Sequence, residues 1–265
     1  MASTAQHDSW SAGRSYDHYM GRWSRLIAHE FLDGLNAPGN ADWADIGCGT
    51  GALTRTILDT RNPRSVTAVD MSEGFVDHAR SEIPDPRAEF RVGDAQALPL
   101  ADDSVDIATS ALVLNFVPDM PKALGEMRRI ARDGGMLSFY VWDYPGGGIG
   151  FIDAFWSAAA AVDPAARALN EADRFPFCTP EGLAGICEQA GLADASIRPI
   201  EVPTVFADFE AFWHPFTLGA GPAPGYCMSL PDEQRNRLKD ELRKVVGGDG
   251  EIRLPARAWA VVARP

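Results

Sequence analysis

The ten residues Ala44-Asp45-Ile46-Gly47-Cys48-Gly49-Thr50-Gly51-Ala52-Leu53 constrain this chain more than any other stretch. An apolar run closes on a carboxylate, three glycines alternate with other residues, and a helix-forming segment follows. That order describes a buried strand, a tight turn and a helix start. Glycine lets a backbone take positive φ and approach a ligand with no Cβ in the way. The helix behind it offers unpaired N–H groups and the positive end of a dipole.

The rest of the chain frames this turn with alternating elements. Strands are predicted at about 42–46, 65–69, 88–92, 104–110 and 135–141, with helices near 24–35, 51–60, 73–81 and 120–132. Strand–helix alternation at this spacing implies a parallel, doubly wound sheet whose strands end at one ligand-binding edge. After Trp142 the pattern changes. Pro145-Gly146-Gly147-Gly148 is a breaker, 151–162 is an apolar helix, and Thr179 caps a helix at 180–190 that has Pro180 as its first residue. A strand at about 194–202 and a last strand at 257–263 enclose a segment with Phe206, Phe209, Phe212, Trp213, Phe216 and Tyr226, and a charged helix near 231–246. If the strand at 194–202 runs parallel to the others, the two aromatic insertions converge over the glycine-rich turn as a cap that also lines a substrate pocket; the alternative is that these aromatics form a satellite core. The expected organisation is an N-terminal lid segment (1–39), a ligand-binding core (40–143), and cap insertions with the last helix and strands of the core (144–265).

Bulk properties narrow the function. A formal net charge of -13 without any Lys/Arg cluster argues against nucleic acid as partner. The four cysteines (Cys48, Cys178, Cys187, Cys227) form no CxxC pair, and the five histidines show no ligand spacing, so no disulfide framework or metal site is expected. Met1-Ala2-Ser3-Thr4-Ala5-Gln6 has no signal-peptide character, and no apolar run reaches the roughly 20 residues of a membrane span. A cytoplasmic protein with free thiols is expected. Nothing in the sequence speaks to its oligomeric state, monomer or homodimer.

Two ligand classes fit the turn. Gly47, Gly49 and Ala52 satisfy a dinucleotide fingerprint, and Asp70, about twenty residues on, suits ribose hydroxyls in either case. An NAD(P)-dependent oxidoreductase is therefore one reading. Asp45 directly before the glycines favours another, because a carboxylate there repels a pyrophosphate and suits a ligand with ammonium and sulfonium centres. Gly93-Asp94-Ala95, then Leu98-Pro99 and Asp103-Ser104-Val105-Asp106, follow the third strand, and Arg128-Arg129-Ile130-Ala131-Arg132-Asp133-Gly134-Gly135 leads into the fifth.

With these four motifs in order, residues 40–142 resemble the class I S-adenosylmethionine (SAM)-dependent methyltransferases, in the type-11, UbiE-like group. Arg132-Asp133-Gly134-Gly135 stands where that group has Lys-Pro-Gly-Gly. Tyr16, Tyr19-Met20-Gly21-Arg22-Trp23-Ser24 and the tail Ala256-Arg257-Ala258-Trp259 look like a bacterial subgroup. The resemblance implies a Rossmann-like seven-stranded sheet, mostly parallel with the last strand antiparallel, under a helical, aromatic cap. It implies that Asp45, Gly47, Cys48, Gly49 and Gly51 hold the methionine part of SAM, that Asp70 takes the ribose and that Met71 packs on adenine. Asp94 then accepts from the adenine amino group, with the Ala95 N–H at the ring, while Ser110, Ala111 and Leu112 face the methionine moiety and the methyl group. Tyr16, Tyr19, Arg22 and Trp23 resemble a lid, with Arg22 either a partner for the SAM carboxylate or a helix-surface arginine. S-adenosylhomocysteine would be the product.

Methyl transfer from a sulfonium needs alignment in a dry pocket above all. A general base is needed only where the acceptor must lose a proton. His214, His18, Tyr16, Tyr19, Asp143 and Tyr226 are candidates for that role. An apolar or aromatic small molecule fits an aromatic, metal-poor cap, with O-, N- and C-methylation all open. A SAM-binding regulatory protein without turnover is the remaining alternative.

Overall fold

The computed structural model describes residues 22–219 and 221–264, with the side chain of Arg22 outside that set. The expected lid residues Tyr16 and Tyr19, the Arg22 side chain and His18 lie outside the described residues. The chain divides into two compact units.

The larger unit comprises Ser24–Trp142, Phe177–Ile200 and the chain from Ala258. Helix α1 (Arg22–Asp33) leads into β1 (Asp42–Ile46), α2 (Ala52–Thr60), β2 (Ser65–Asp70), α3 (Glu73–Glu82), β3 (Ala88–Val92), β4 (Val105–Ala111), α4 (Met120–Ile130) and β5 (Ala131–Trp142). Later elements are α5 (Gly150–Val162), α6 (Glu171–Arg174), α7 (Pro180–Gln189), β6 (Ser196–Phe206), α8 (Phe209–Trp213), α9 (Pro222–Ser229), α10 (Asp232–Val245) and β7 (Ile252–Ala263). The sheet order is β3-β2-β1-β4-β5-β7-β6. The first five strands pair in parallel and β7 pairs antiparallel with β5. This is the mostly parallel seven-stranded sheet expected from the resemblance.

Central strands of such a sheet are covered on both faces and read as continuous apolar runs. Trp43, Ala44, Asp45 and Ile46 of β1 are all buried. Helix starts follow local chemistry: Ser72 Oγ accepts from the Phe75 N–H, Asp119 from the Lys122 N–H, and Thr179 Oγ1 from the Gly182 N–H. The strand order reverses between β1 and β4, so the chain leaves those two neighbours in opposite directions and opens a crevice at their carboxyl ends.

At the opposite edge, where β1 and β4 begin, carboxylates meet arginines. Arg64 Nε donates to Asp42 at 2.7 Å, and Arg132 Nη1 reaches Asp106 at 2.7 Å and Asp42 at 3.1 Å. These partners hold the Asp42 carboxyl well below its ordinary range, the Arg64 hydrogen bond contributing most. Strand β5 starts at Ala131, earlier than the expected 135, where Ala131 pairs with Val105 beside Arg132. Val105 pairs with Ala131 but Ile107 pairs with Met136, a bulge that takes in Gly134 at φ 72. Arg132, within this bulge, also donates to the Ser104 carbonyl at 2.7 Å.

The second unit is built from Trp23, Asp143–Pro176 and Glu201–Arg257. Its aromatic residues pack on one another: Phe155 stacks on Phe216 (4.6 Å between centroids), Phe206 meets Phe212 edge-on (5.0 Å), and Trp23 meets Phe206 (5.6 Å). All of them are buried, as members of a satellite core would be. Asp143 is also buried; it accepts from the Gly146 N–H at 3.0 Å and from Arg257 Nε at 2.6 Å. The Thr204 hydroxyl donates to the Leu254 carbonyl at 2.8 Å, tying β6 to β7.

Candidate ligand site at the carboxyl ends of β1, β2 and β4

The glycine turn is fastened to the end of β2. The N–H groups of Gly47 and Cys48 both donate to the Val69 carbonyl (2.7 and 3.0 Å), and the Gly49 N–H donates to Asp70 Oδ2 at 2.9 Å. The second Asp70 oxygen accepts from the Ser72 N–H at 2.8 Å. One carboxylate thus shapes two turns. Gly47 takes φ 73, and a Cβ there would lie 2.2 Å from Val113 Cγ1, so the turn leaving β4 covers its Cα directly. Gly51, at φ 85, caps α2 with no side chain bonded to the first-turn N–H groups. A Cβ on Gly49 would meet nothing within 4 Å, which marks the open side of the turn.

Two carboxylates are sunk beside this turn. Asp45 is fully buried; its Oδ2 accepts from Thr54 Oγ1 at 2.6 Å and its Oδ1 has no partner among the described residues. Burial, reinforced by the nearby Asp70 charge, pushes its carboxyl up to about 7 against the opposing Thr54 bonds. Asp70 is buried too, and desolvation raises it while the Ser72 and Gly49 N–H groups pull the other way. Burial and these two carboxylates lift the Cys48 thiol well above its usual range, which makes it a poor nucleophile. Neither Asp45 nor Asp70 has an ion-pair partner among the described residues, in contrast to Asp42 and Asp106 at the other edge.

The remaining expected site residues sit at the same carboxyl edge. Met71 follows β2 and is 81% exposed. Asp94 is exposed after β3 and accepts from the Gln96 N–H at 2.8 Å; Ala95 beside it is half-buried. Gln96 Oε1 in turn accepts from the Asp119 N–H at 3.2 Å, so the loop after β3 is tied to the segment after β4. Ser110 is buried and its hydroxyl donates to the Ile46 carbonyl at 2.7 Å, so it locks β4 onto β1 and faces no solvent. Ala111 is half-buried, and Leu112 is buried at φ 58, a left-handed backbone that a branched side chain takes only when its surroundings impose it. The Leu112 N–H is held by the Tyr140 carbonyl at 2.8 Å.

In the second unit His214 is exposed on the short turn His214–Thr217, and Tyr226 is buried with no partner for its hydroxyl among the described residues. Asp143 is occupied by Arg257 and Gly146. Two features carried no sequence signal. Asp153 is half-buried and is pushed up to about 6 by burial and by Asp143. Asn115 is 5% exposed on the turn Leu114–Phe116, and neither atom of its carboxamide has a partner among the described residues. No local pattern marks Asn115, because the burial comes from tertiary packing. No group of three or more His, Cys, Asp or Glu that could hold a metal ion occurs among the described residues, and no helix there is long and apolar enough to cross a membrane.

Residues 44–139 match the family model described as a methyltransferase domain. A malonyl-(acyl-carrier protein) O-methyltransferase of Pectobacterium atrosepticum is 41% identical over 48% of this chain and 49% of its own length. A protein of the same name from Geobacter sulfurreducens is 28% identical over 85% of this chain and 84% of its own. The demethylmenaquinone methyltransferase of Renibacterium salmoninarum is 34% identical over 47% of this chain and 49% of its own length. The chain thus spans about half the length of the Pectobacterium relative, and 36% of a Serratia marcescens one. Among solved structures, a protein of Bacillus halodurans superposes with TM-score 0.59 at 17% identity, covering 89% of this chain and 97% of that one. That likeness is one of fold.

Proposed function

We propose that the methyltransferase domain matched by residues 44–139 is of the class I, SAM-dependent type and that this chain transfers the methyl group of SAM to a small-molecule acceptor. The observation that carries the reading is the pair of buried carboxylates, Asp45 and Asp70, which have no cation partner among the described residues, beside a glycine turn. Such a turn repels a pyrophosphate and favours a ligand that brings its own positive charge. The unpartnered Asp45 Oδ1 is the acceptor an ammonium group requires.

In this reading Asp45 and the Gly47–Gly51 turn, Cys48 included, hold the methionine part. Asp70 keeps the turn closed through Gly49 and offers its remaining lone pairs to ribose. The exposed Met71 gives adenine an apolar face, and Asp94 with Ala95 meets the adenine edge. Ala111 and Leu112 border the reacting end, while Ser110 holds their strand in place. SAM supplies an electrophilic methyl on a charged leaving group; the chain's own contribution is to orient it and exclude water. Neither His214 nor another histidine is required as a base unless the acceptor has to lose a proton. The named relatives differ in acceptor, malonyl-acyl carrier protein in one and demethylmenaquinone in another. We infer an apolar or aromatic acceptor from the aromatic content of residues 144–265.

Thermal-shift measurements with S-adenosylhomocysteine, SAM and NAD test the proposal. Stabilisation by the first two is expected. Stabilisation by NAD alone overturns the reading in favour of an oxidoreductase. Label transfer from tritiated SAM into a metabolite extract then separates an enzyme from a SAM-binding regulator.

A further inference from the structure

Besides Asp45, the larger unit contains a buried carboxamide with no partner among the described residues. Asn115 lies on the turn that follows β4, four residues beyond the last strand residue, Ala111. Both the Oδ1 and the Nδ2 of its carboxamide are buried and without a partner among the described residues. Burying such an amide unsatisfied is costly, and native proteins rarely leave both ends open.

Three observations place this turn at the ligand site. Val113, two residues earlier, sits directly over the Cα of Gly47. Asp119, four residues later, bonds through its N–H to Gln96 of the loop after β3. And β1 and β4, the neighbours in register as Asp45↔Thr109 and Ile46↔Ser110, deliver the glycine turn and the Asn115 turn to one edge. The unit thus holds two buried polar side chains with open bonding capacity there: Asp45, which needs a donor, and Asn115, which needs a donor and an acceptor.

An α-amino-acid zwitterion answers all three needs with one chemical group. Its ammonium donates to Asp45 Oδ1 and Asn115 Oδ1, and its carboxylate accepts from Asn115 Nδ2. We propose that Asn115 is a binding residue for the amino-acid head of the ligand and acts with Asp45 as a two-sided reader of it. The proposal rests on the SAM reading of the site. It assigns to a neutral amide what would otherwise call for a cation on the carboxylate side. A neutral partner also leaves the negative potential of Asp45 and Asp70 undiminished.

The test compares two probes, S-adenosylhomocysteine, which carries the amino-acid head, and 5′-methylthioadenosine, which lacks it. Titration calorimetry with Asn115→Ala should show S-adenosylhomocysteine binding weakened by about tenfold or more. Binding of 5′-methylthioadenosine should stay within about twofold, since the nucleoside side is untouched. Asn115→Leu, close in volume and without polar atoms, should repeat this and guard against a packing defect. The ligand-free melting temperature of either variant should equal or exceed that of the wild type, because an unsatisfied amide is removed. Unchanged S-adenosylhomocysteine affinity in the Leu variant overturns the proposal. An equal loss for both probes also overturns it, since it would place the effect on the pocket as a whole. Failure of the wild-type chain to bind S-adenosylhomocysteine at all would instead strike the donor reading, and this one with it.

Discussion

Asp45 should make donor binding and ligand-free stability respond to pH in opposite ways. Burial raises its carboxyl from the ordinary 3.8 to about 7. Between those values the folded chain holds a proton that the unfolded chain has released, so stability of the ligand-free protein falls as pH rises through that window and levels off above it. At 1.36 kcal/mol per pKa unit, the three-unit shift amounts to about 4 kcal/mol across the whole window. An ammonium ligand needs the ionised carboxylate. At about pH 6 only some tenth of the molecules carry it, against about nine-tenths near pH 8, so affinity should rise roughly tenfold between them. Asp45→Asn keeps the size and the Thr54 bond but cannot ionise. It should weaken S-adenosylhomocysteine binding by about 10- to 100-fold at pH 8 through loss of a charge-assisted bond. It should also flatten both pH profiles and raise the ligand-free melting temperature near pH 8. Calorimetric titration at several pH values, with 5′-methylthioadenosine as the headless control, reads the first effect. Differential scanning fluorimetry without ligand reads the second. A wild-type affinity independent of pH, or an Asn variant that binds as well as the wild type, would refute the reasoning.

Asp70→Ala removes the acceptor for both the Gly49 and Ser72 N–H groups and should cost about 1–3 kcal/mol in urea unfolding, together with nucleoside affinity. Gly47→Ala should destabilise by about 2–4 kcal/mol, since its left-handed φ and the Val113 contact both oppose a Cβ. Adding Val113→Ala should recover only the contact part, so a full rescue would show that the backbone angle is unstrained. In the second unit, Arg257→Met strands the buried Asp143 carboxylate and should cost about 3–5 kcal/mol. The double variant with Asp143→Asn should regain a good share of that, measured by chemical denaturation.

Much of the larger unit was legible because its signals are local. Strand β1 shows as an apolar run, and α7 announces itself through Thr179 and Pro180. The glycine turn exposes its own logic in the alternation of Gly47, Gly49 and Gly51. What was not legible depends on partners distant in sequence. The early start of β5 is set by Ala131 pairing with Val105, beside Arg132 reaching Asp42, ninety residues away. The Asp143–Arg257 pair joins residues 114 apart. Ser110 reads as a site residue at the end of β4, yet its hydroxyl is committed to the Ile46 carbonyl. The orphaned atoms of Asp45 and Asn115 are defined by what packs around them, which no spacing encodes.

The contrast between the sheet's two ends has a consequence for turnover. At one end Asp42 and Asp106 carry their own arginines; at the other, Asp45 and Asp70 have none among the described residues. In the proposed reaction the donor arrives with one more positive charge than the spent product takes away, because the sulfonium becomes a neutral thioether. The uncompensated end of the sheet therefore holds fresh donor more tightly than product, by an amount that salt screens only weakly for groups this deeply buried. The electrostatics that admit the ligand thus also favour its replacement once the methyl has gone.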